Sequence, residues 1–188
     1  AWKQNSLLLS AATMPHDTYM SVEAWCEAVV ADSKEQGKKA MQLGTDIHAA
    51  IEMYLNGETI DEQYVPFVMP VIQEMERRGW LENRKVEHSF AHKSRYGGKI
   101  DYHNDKVMID FKTTSAKDIT KASWPEHIWQ LAGYRYGIYA ENLQCVNIYI
   151  STVTPGLFFI KEWDHDDAIK GECIFNMALN LWKLIKGI

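Results

Sequence analysis

The sequence predicts an α/β fold in which helices flank a mixed central sheet. Apolar side chains recur at helical spacings of three and four through the first eighty residues, and short alternating runs typical of strands follow them. A chain of 188 residues fits one domain and can bury a core. We expect a single domain over 1–188, with a helical part over 1–82, a sheet part with its own helix over 83–163 and a final helix over 164–188.

Three helices are expected before the sheet. Ser21–Ala31 forms a short helix, and Lys38–Leu55 has the apolar spacing of an amphipathic one. Pro66–Trp80 continues in the same style, and Pro70 inside it predicts a kink or a split.

The sheet is expected to combine a three-strand meander with a hairpin. The five strands are Lys85–His92, Gly98–His103, Lys106–Thr113, Cys145–Thr152 and Leu157–Trp163. A helix from Pro125 to Ala140 joins the two groups, since Pro suits a first helical turn. The closing helix is amphipathic, and its apolar stripe consists of Ile169, Cys173, Met177, Leu181 and Ile185.

Composition excludes several classes of protein. No apolar run approaches the ~20 residues needed to cross a bilayer, and Leu7–Ala12 is too short for a signal-peptide core. Cys26, Cys145 and Cys173 lack the spacing of a disulfide framework or a zinc site, which favours a reducing, cytoplasmic setting. The formal net charge of -5 does not favour nucleic-acid binding, although a local basic groove can coexist with acidic faces.

The first hairpin of the sheet is expected to carry the chemistry. A two-residue turn at Asn104-Asp105 would pair His103 with Lys106 and make Asp101 and Asp110 diagonal neighbours, within reach of one ion. Because side chains alternate along a strand, the polar face collects Lys99, Asp101, Asp110 and Lys112. The opposite face, suited to a core, collects Ile100, Tyr102, Val107, Ile109 and Phe111.

Two carboxylates and a lysine on one face suit phosphodiester hydrolysis. Asp101 and Asp110 can hold a hard cation such as Mg²⁺, which activates water and offsets the charge that develops on the phosphate. Lys112 can orient or help to deprotonate that water, or stabilise the transition state. The alternative is an amphipathic hairpin with a solvated polar face, which is the more common case for such a hairpin alone.

Two other residues are candidate metal ligands. His48 shares a helical stripe with Gly44 and Glu52 at the margin of the apolar row, where it either faces a cleft as a ligand or makes a hydrogen bond at the core edge. Glu87 lies on the strand expected beside the hairpin, either as a metal or water ligand or as a surface residue.

Gln130 and Tyr134 lie four residues apart on the helix after the hairpin. An amide and a phenol on one face can bind a phosphate or a base edge, or brace a carboxylate, although aromatic residues at helical spacing are usually core. The nearby side chains that offer surfaces for base stacking are Trp124, His127 and Trp129. The intervening loop, Thr113–Lys121, has hydroxyls and lysines that suit either phosphate contacts or a solvated loop.

The order and spacing of these residues resemble the RecB-type branch of the PD-(D/E)xK nucleases. That branch includes RecB nuclease domains and CRISPR-associated, mitochondrial genome maintenance and phage exonucleases. The matching motifs, over about half of the chain, are Gly44/His48, Glu87, Gly98-x-x-Asp101, Asp110-Phe-Lys112 and Gln130-x-x-x-Tyr134. The resemblance implies a restriction-endonuclease-like core and a deoxyribonuclease that depends on Mg²⁺ or Mn²⁺.

The resemblance also implies a role for each matching residue. The implied metal ligands are His48, Asp101 and Asp110, with the Phe111 carbonyl beside them and Glu87 as a further candidate. Lys112 matches the catalytic lysine, and Gln130 and Tyr134 match a motif that supports the site and engages DNA. An imidazole ligand would let Mn²⁺ compete well with Mg²⁺.

The sequence departs from that branch in its second acid, Asp110 rather than Glu, and in its cysteines. Three scattered cysteines cannot supply the four that an iron–sulfur cluster needs, so no cluster is expected. The expected function is an exonuclease on single-stranded or resected DNA ends in recombination, replication or repair, in a bacterium or a phage-infected cell. A recombination or replication protein is a candidate partner. Two alternatives remain: a structure-specific endonuclease with the same site, and an inactive DNA-binding module.

Overall fold

The computed structural model describes residues 2–15 and 20–188, which form five α-helices and five strands. The helices are α1 (Trp2–Thr13), α2 (Val22–Leu55), α3 (Val65–Arg77), α4 (Pro125–Gly137) and α5 (His165–Lys186). The strands are β1 (Lys85–His92), β2 (Tyr96–His103), β3 (Val107–Thr114), β4 (Gln144–Ser151) and β5 (Phe158–Glu162). The chain divides into two compact units, 1–46 and 47–188, and the whole sheet belongs to the second unit. The single domain expected over 1–188 stays a prediction.

Two expectations about the early helices need correction. The helices expected at Ser21–Ala31 and Lys38–Leu55 are one continuous helix, α2. The residues between them contain no proline, and Gln36 Nε2 donates to Asp32 Oδ2 (2.7 Å) across one turn, which supports helix there. Pro70 does not split α3, because the helix buries an apolar face on both sides of it: Val68, Val71, Ile72 and Met75.

The five strands form one mixed sheet in the order β1-β2-β3-β4-β5. β1, β2 and β3 form the expected antiparallel meander, and β4 and β5 form the expected hairpin. β3 and β4 are parallel, and the connection between them contains α4. The fold class α/β with a mixed sheet and flanking helices is therefore confirmed.

The turn between β2 and β3 lies one residue later in the chain than expected, because the Asn104 N–H donates to the Val107 carbonyl oxygen (3.0 Å) and leaves Asp105 and Lys106 between them. His103 pairs with Met108 rather than with Lys106, so the expected register was wrong by two residues. The Asn104 side chain explains the shifted turn, because its Oδ1 accepts the backbone N–H groups of Lys106 (2.8 Å) and Val107 (2.9 Å). A shift of two residues leaves every side chain on the face expected for it.

β3 lies at the centre of the sheet and is buried on both faces from Val107 to Phe111. The side chains expected in the core are all buried: Ile100, Tyr102, Val107, Ile109 and Phe111. Met108 and Asp110, on the other face of β3, are buried as well. The alternative of a fully solvated polar face is therefore wrong for Asp110.

α5 packs through small residues instead of the apolar stripe found in the sequence. Its buried residues are Ala168 and Gly171, and a Cβ at Gly171 would lie 3.1 Å from the carbonyl oxygen of Ile128 on α4. The stripe itself is exposed: Ile169, Cys173, Met177, Leu181 and Ile185. Close approach of two helices through small side chains decides which face of α5 is buried. No helix in the described part of the chain is both long and apolar enough to cross a membrane.

Candidate active site

Asp110 is the buried centre of the candidate site. Its side chain lies on β3, and only 1% of the residue is exposed. Lys112 Nζ donates to Oδ1 (2.7 Å), and Asn147 Nδ2 donates to Oδ2 (2.7 Å). The pKa of Asp110 is raised to about 6: burial and the charge of nearby Asp101 raise it, whereas Lys112 and Asn147 oppose the rise.

Asn147 is a site residue that sequence reasoning missed. It lies on β4 directly beside Asp110 in the parallel pair, is fully buried, and accepts a hydrogen bond from Trp163 Nε1 (2.8 Å) while it donates to Asp110. A signal was present in the sequence, because Asn147 is the one amide within the apolar run Cys145–Ile150. A buried amide in a central strand needs polar partners, and here they are Asp110 and Trp163.

Lys112 connects Asp110 to the helix after the hairpin. Its Nζ also donates to Gln130 Oε1 (3.0 Å), and Gln130 Nε2 donates to the Tyr134 hydroxyl (2.8 Å). The structure therefore brings Asp110, Lys112, Gln130 and Tyr134 together in one chain of hydrogen bonds. The glycine of the Gly98-x-x-Asp101 motif makes room for it, since a Cβ at Gly98 would lie 2.7 Å from the ring of Tyr134.

Asp101 stands beside Asp110 at the point where β2 and β3 separate. Continuing the observed register by one residue sets Asp101 opposite Asp110, rather than diagonal to it as expected. The ladder ends before this pair, and Asp101 Oδ2 accepts the backbone N–H of Phe111 (2.9 Å) in place of a strand partner. Both carboxylates thus meet at one place in the sheet.

Glu87 lies on the other side of Asp101, on β1. The β1–β2 ladder pairs Val86 with Tyr102 and His88 with Ile100, but it skips the rung between Glu87 and Asp101. Glu87 has a φ of 52°, in the left-handed region that side chains other than glycine rarely adopt. Its carboxylate contacts Lys99 Nζ, so the lysine expected on the polar face pairs with Glu87.

His48 lies on the last turns of α2, within the second unit. Its ring meets the Phe111 ring edge-on, with centroids 6.4 Å apart. Burial lowers the pKa of His48, and the charges of Asp101 and Lys112 act on it in opposite directions. His48, Glu52, Glu87 and Asp101 line a cavity of about 10 Å³ together with apolar neighbours. A cavity of that size accommodates about one water-sized particle.

The donor set of this cavity suits a hard or borderline cation, but it is not assembled to hold one. Carboxylates and an imidazole are ligands for Mg²⁺ or Mn²⁺, and the buried, ionisable Asp110 lies next to Asp101. Within residues 2–15 and 20–188, however, no three His, Cys, Asp or Glu side chains are grouped so as to hold an ion. Both oxygens of Asp110 lie within 2.7 Å of Lys112 Nζ, which already neutralises that carboxylate. These carboxylate and imidazole side chains are of the right chemical type for such an ion, but they would need to rotate to coordinate it.

The remaining candidates lie around this centre. Trp124 is 58% exposed, whereas Trp129 packs at the edge of the core cluster beneath α4. His127 Nδ1 lies 2.7 Å from the Tyr149 hydroxyl. In the loop, Asp118 pairs with Lys121 (3.4 Å), so the charge of that lysine is partly neutralised.

Comparisons with known proteins give no family for this chain. No protein-family model matches it, and no curated protein matches it. The crystal structure of SSO0001 is similar to it, with a TM-score of 0.37 and 12% identity, over 94% of this chain and 84% of that one. A likeness at this TM-score carries no argument about function or detailed fold.

Proposed function

We propose that the chain is a divalent-metal-dependent deoxyribonuclease of the RecB-type PD-(D/E)xK kind, acting as an exonuclease on single-stranded or resected DNA ends. The observation that carries the proposal is the contact of Lys112 with the buried Asp110, backed by Gln130 and placed beside Asp101. A solvated hairpin would not bury one carboxylate, raise its pKa and tie it to a lysine. Sites with such perturbed carboxylates are often catalytic.

In this proposal, Asp101 and Asp110 hold Mg²⁺ or Mn²⁺, with His48 and Glu87 as further ligands. The ion, when bound, supplies an activated water and positive charge at the scissile phosphate. Because Lys112 reaches Asp110, it lies within reach of a water or phosphate oxygen beside that carboxylate, where its ammonium orients the nucleophile and offsets developing negative charge.

Gln130 and Asn147 position these groups. Gln130 Oε1 accepts a hydrogen bond from the Lys112 ammonium, which limits the directions in which the lysine can point. Asn147 holds the Asp110 carboxylate through its Oδ2. The burial of Asp110 excludes water from that side, which strengthens each of these contacts. The reaction would take place in the cytoplasm, with DNA as substrate and a recombination or replication protein as partner.

The test compares end-labelled linear and closed circular single-stranded DNA, each with Mg²⁺, Mn²⁺ or EDTA. We expect metal-dependent loss of the linear strand only, abolished by Lys112→Ala and unaffected by Lys170→Ala, which removes an exposed lysine from α5. Cutting of the circle would replace the exonuclease with an endonuclease at the same site. Binding without cleavage would favour an inactive DNA-binding module. The absence of both binding and cleavage would overturn the proposal.

A further inference from the structure

The two ring nitrogens of His127 differ in their contacts: Nδ1 has hydrogen-bond partners, and Nε2 has none in the described part of the chain. Its Nδ1 accepts the backbone N–H of Trp124 (3.4 Å), as the side chain of Glu or Gln does at this position of a helix N-terminus. An amide N–H can only donate, so this contact favours Nδ1 as an acceptor and assigns the proton of the neutral ring to Nε2. In that tautomer the Tyr149 hydroxyl, 2.7 Å away, is the main donor to the Nδ1 lone pair, and the Ser123 side chain supports that hydroxyl.

Nε2–H is therefore a hydrogen-bond donor with no acceptor in the described part of the chain. His127 is half-buried, so this donor is accessible at the surface. A neutral ring whose lone pair is already engaged cannot ligate a metal, and its remaining N–H suits an anionic oxygen. Burial lowers the pKa of His127, and so does the charge of Lys112, which agrees with a neutral ring.

His127 lies next to the candidate active site. It is three residues before Gln130 on α4 and seven before Tyr134, and these spacings put all three on one face of the helix. Gln130 contacts Lys112, and the charge of Lys112 lowers the pKa of His127. Trp124, 58% exposed, adjoins His127 and offers a flat surface for an unpaired base.

We propose that His127 is a DNA-binding residue whose Nε2–H donates to a backbone phosphate next to the scissile one, while Tyr149 and the Trp124 amide hold the ring in that tautomer. The inference rests on the proposed function and narrows its substrate to a strand that is unpaired at the site, because base stacking on Trp124 requires an unpaired base. Tyr149 is a positioning residue in this arrangement, acting only through His127.

The tautomer is tested on the wild-type protein by long-range ¹H–¹⁵N correlation spectra of the histidine rings. We expect a proton on Nε2 and an unprotonated Nδ1, and Tyr149→Phe should weaken that preference towards a mixture of tautomers. A wild-type ring protonated on Nδ1 would overturn the inference. This measurement needs neither DNA nor cleavage, so it is independent of the proposed function.

The DNA contact is tested by the binding of a labelled single-stranded oligonucleotide in EDTA. We expect His127→Leu to weaken binding about tenfold, the effect of losing one hydrogen bond to a charged group. We expect His127→Gln, which keeps both an acceptor and an N–H, to bind within about threefold of wild type on the same scale. His165→Leu, at an exposed histidine in the first turn of α5, is the matched control and should bind as wild type does.

In cleavage assays, His127→Leu should raise KM and leave kcat within about threefold of wild type, because the lost contact stabilises the bound substrate and the transition state equally. If wild type cleaves DNA and His127→Leu binds it as tightly as wild type does, this inference alone is overturned. Wild type that neither binds nor cleaves would overturn the proposed function as well. If His127→Leu does not fold, Tyr149→Phe takes its place in the binding assay, where loss of the fixed tautomer should weaken binding. Unchanged binding by a Tyr149→Phe variant with mixed tautomers would overturn the inference.

Discussion

The two sides of the candidate site differ in how firmly their side chains are held. The bonded side consists of Asp110, Lys112, Gln130, Tyr134 and Asn147, which form a continuous set of hydrogen bonds between 2.7 and 3.0 Å. The open side consists of His48, Glu52, Glu87 and Asp101, which line the small cavity. The bonded side is built before any ligand arrives, whereas the open side needs rotation to close around an ion. Preorganised groups should therefore contribute most to the reaction.

The largest expected effect separates the two sides by activity. Asp110→Asn removes the charge at the centre of the bonded side and should lower kcat/KM about 10³-fold, because the ion that stabilises the transition state loses a proposed ligand. Glu87→Gln, on the open side, should lower it about tenfold, like other groups that tune metal affinity. Initial rates of single-stranded DNA hydrolysis at saturating Mg²⁺ measure both. Equal losses would show that the open side is as important as the bonded one.

The next effect is the pH dependence of the free energy of unfolding in the metal-free protein. The folded-state pKa of Asp110, about 6, lies above its ordinary value of 3.8, so its contribution to stability is present below pH 3.8 and is lost as the pH rises through 6. Because one pKa unit corresponds to about 1.4 kcal/mol, the loss is about 3 kcal/mol.

Asp110→Asn removes this titration while it leaves the other ionisable groups in place. The free energy of unfolding of wild type minus that of the variant, from urea titrations in EDTA, should therefore fall between pH 4 and pH 7. Added Mg²⁺ should reverse the fall by stabilising the ionised carboxylate in the folded state. A difference that does not change with pH would mean that Lys112 and Asn147 fully compensate the burial of Asp110.

A smaller loss of stability is expected from Asn147→Leu. The leucine leaves Trp163 Nε1 without its acceptor in a buried place and removes a donor from Asp110, which should lower the free energy of unfolding by about 2 kcal/mol at pH 7. Asn142→Leu, at an exposed asparagine before β4, is the control and should change it little. An equal effect of the two substitutions would mean that the Asn147 contacts contribute nothing to stability.

The contrast between the sides also explains what the sequence could and could not predict. Asp110, Lys112, Gln130 and Tyr134 follow from local periodicity, because alternation on β3 and four-residue spacing on α4 put each on a defined face. The meander and the hairpin are predictable from alternation and turn residues, except where the Asn104 side chain holds a shifted turn and Asp101 lies opposite Asp110.

The features that escaped prediction depend on pairing between distant segments. Asn147 becomes a site residue only because β4 pairs in parallel with β3, and the left-handed φ of Glu87 reflects a missing rung that alternation cannot reveal. The burial of α5 was misjudged because Gly171 and Ala168, which a hydrophobic pattern ignores, set the contact with α4. Single-sequence patterns predict which way a residue faces, but not what another segment places against it.

The smallest expected effect tests whether the bonded side acts as a unit. Gln130→Ala removes the acceptor of Lys112 and the donor to Tyr134, so it should lower kcat about tenfold by freeing the lysine. Tyr134→Phe keeps the ring against Gly98 and loses only the hydroxyl, so it should lower kcat about threefold. Single-turnover rates give these values, and thermal unfolding checks that both variants fold. If the double variant loses no more than Gln130→Ala alone, Tyr134 acts on Lys112 through Gln130, whereas multiplied losses would mean that its hydroxyl contacts the DNA directly.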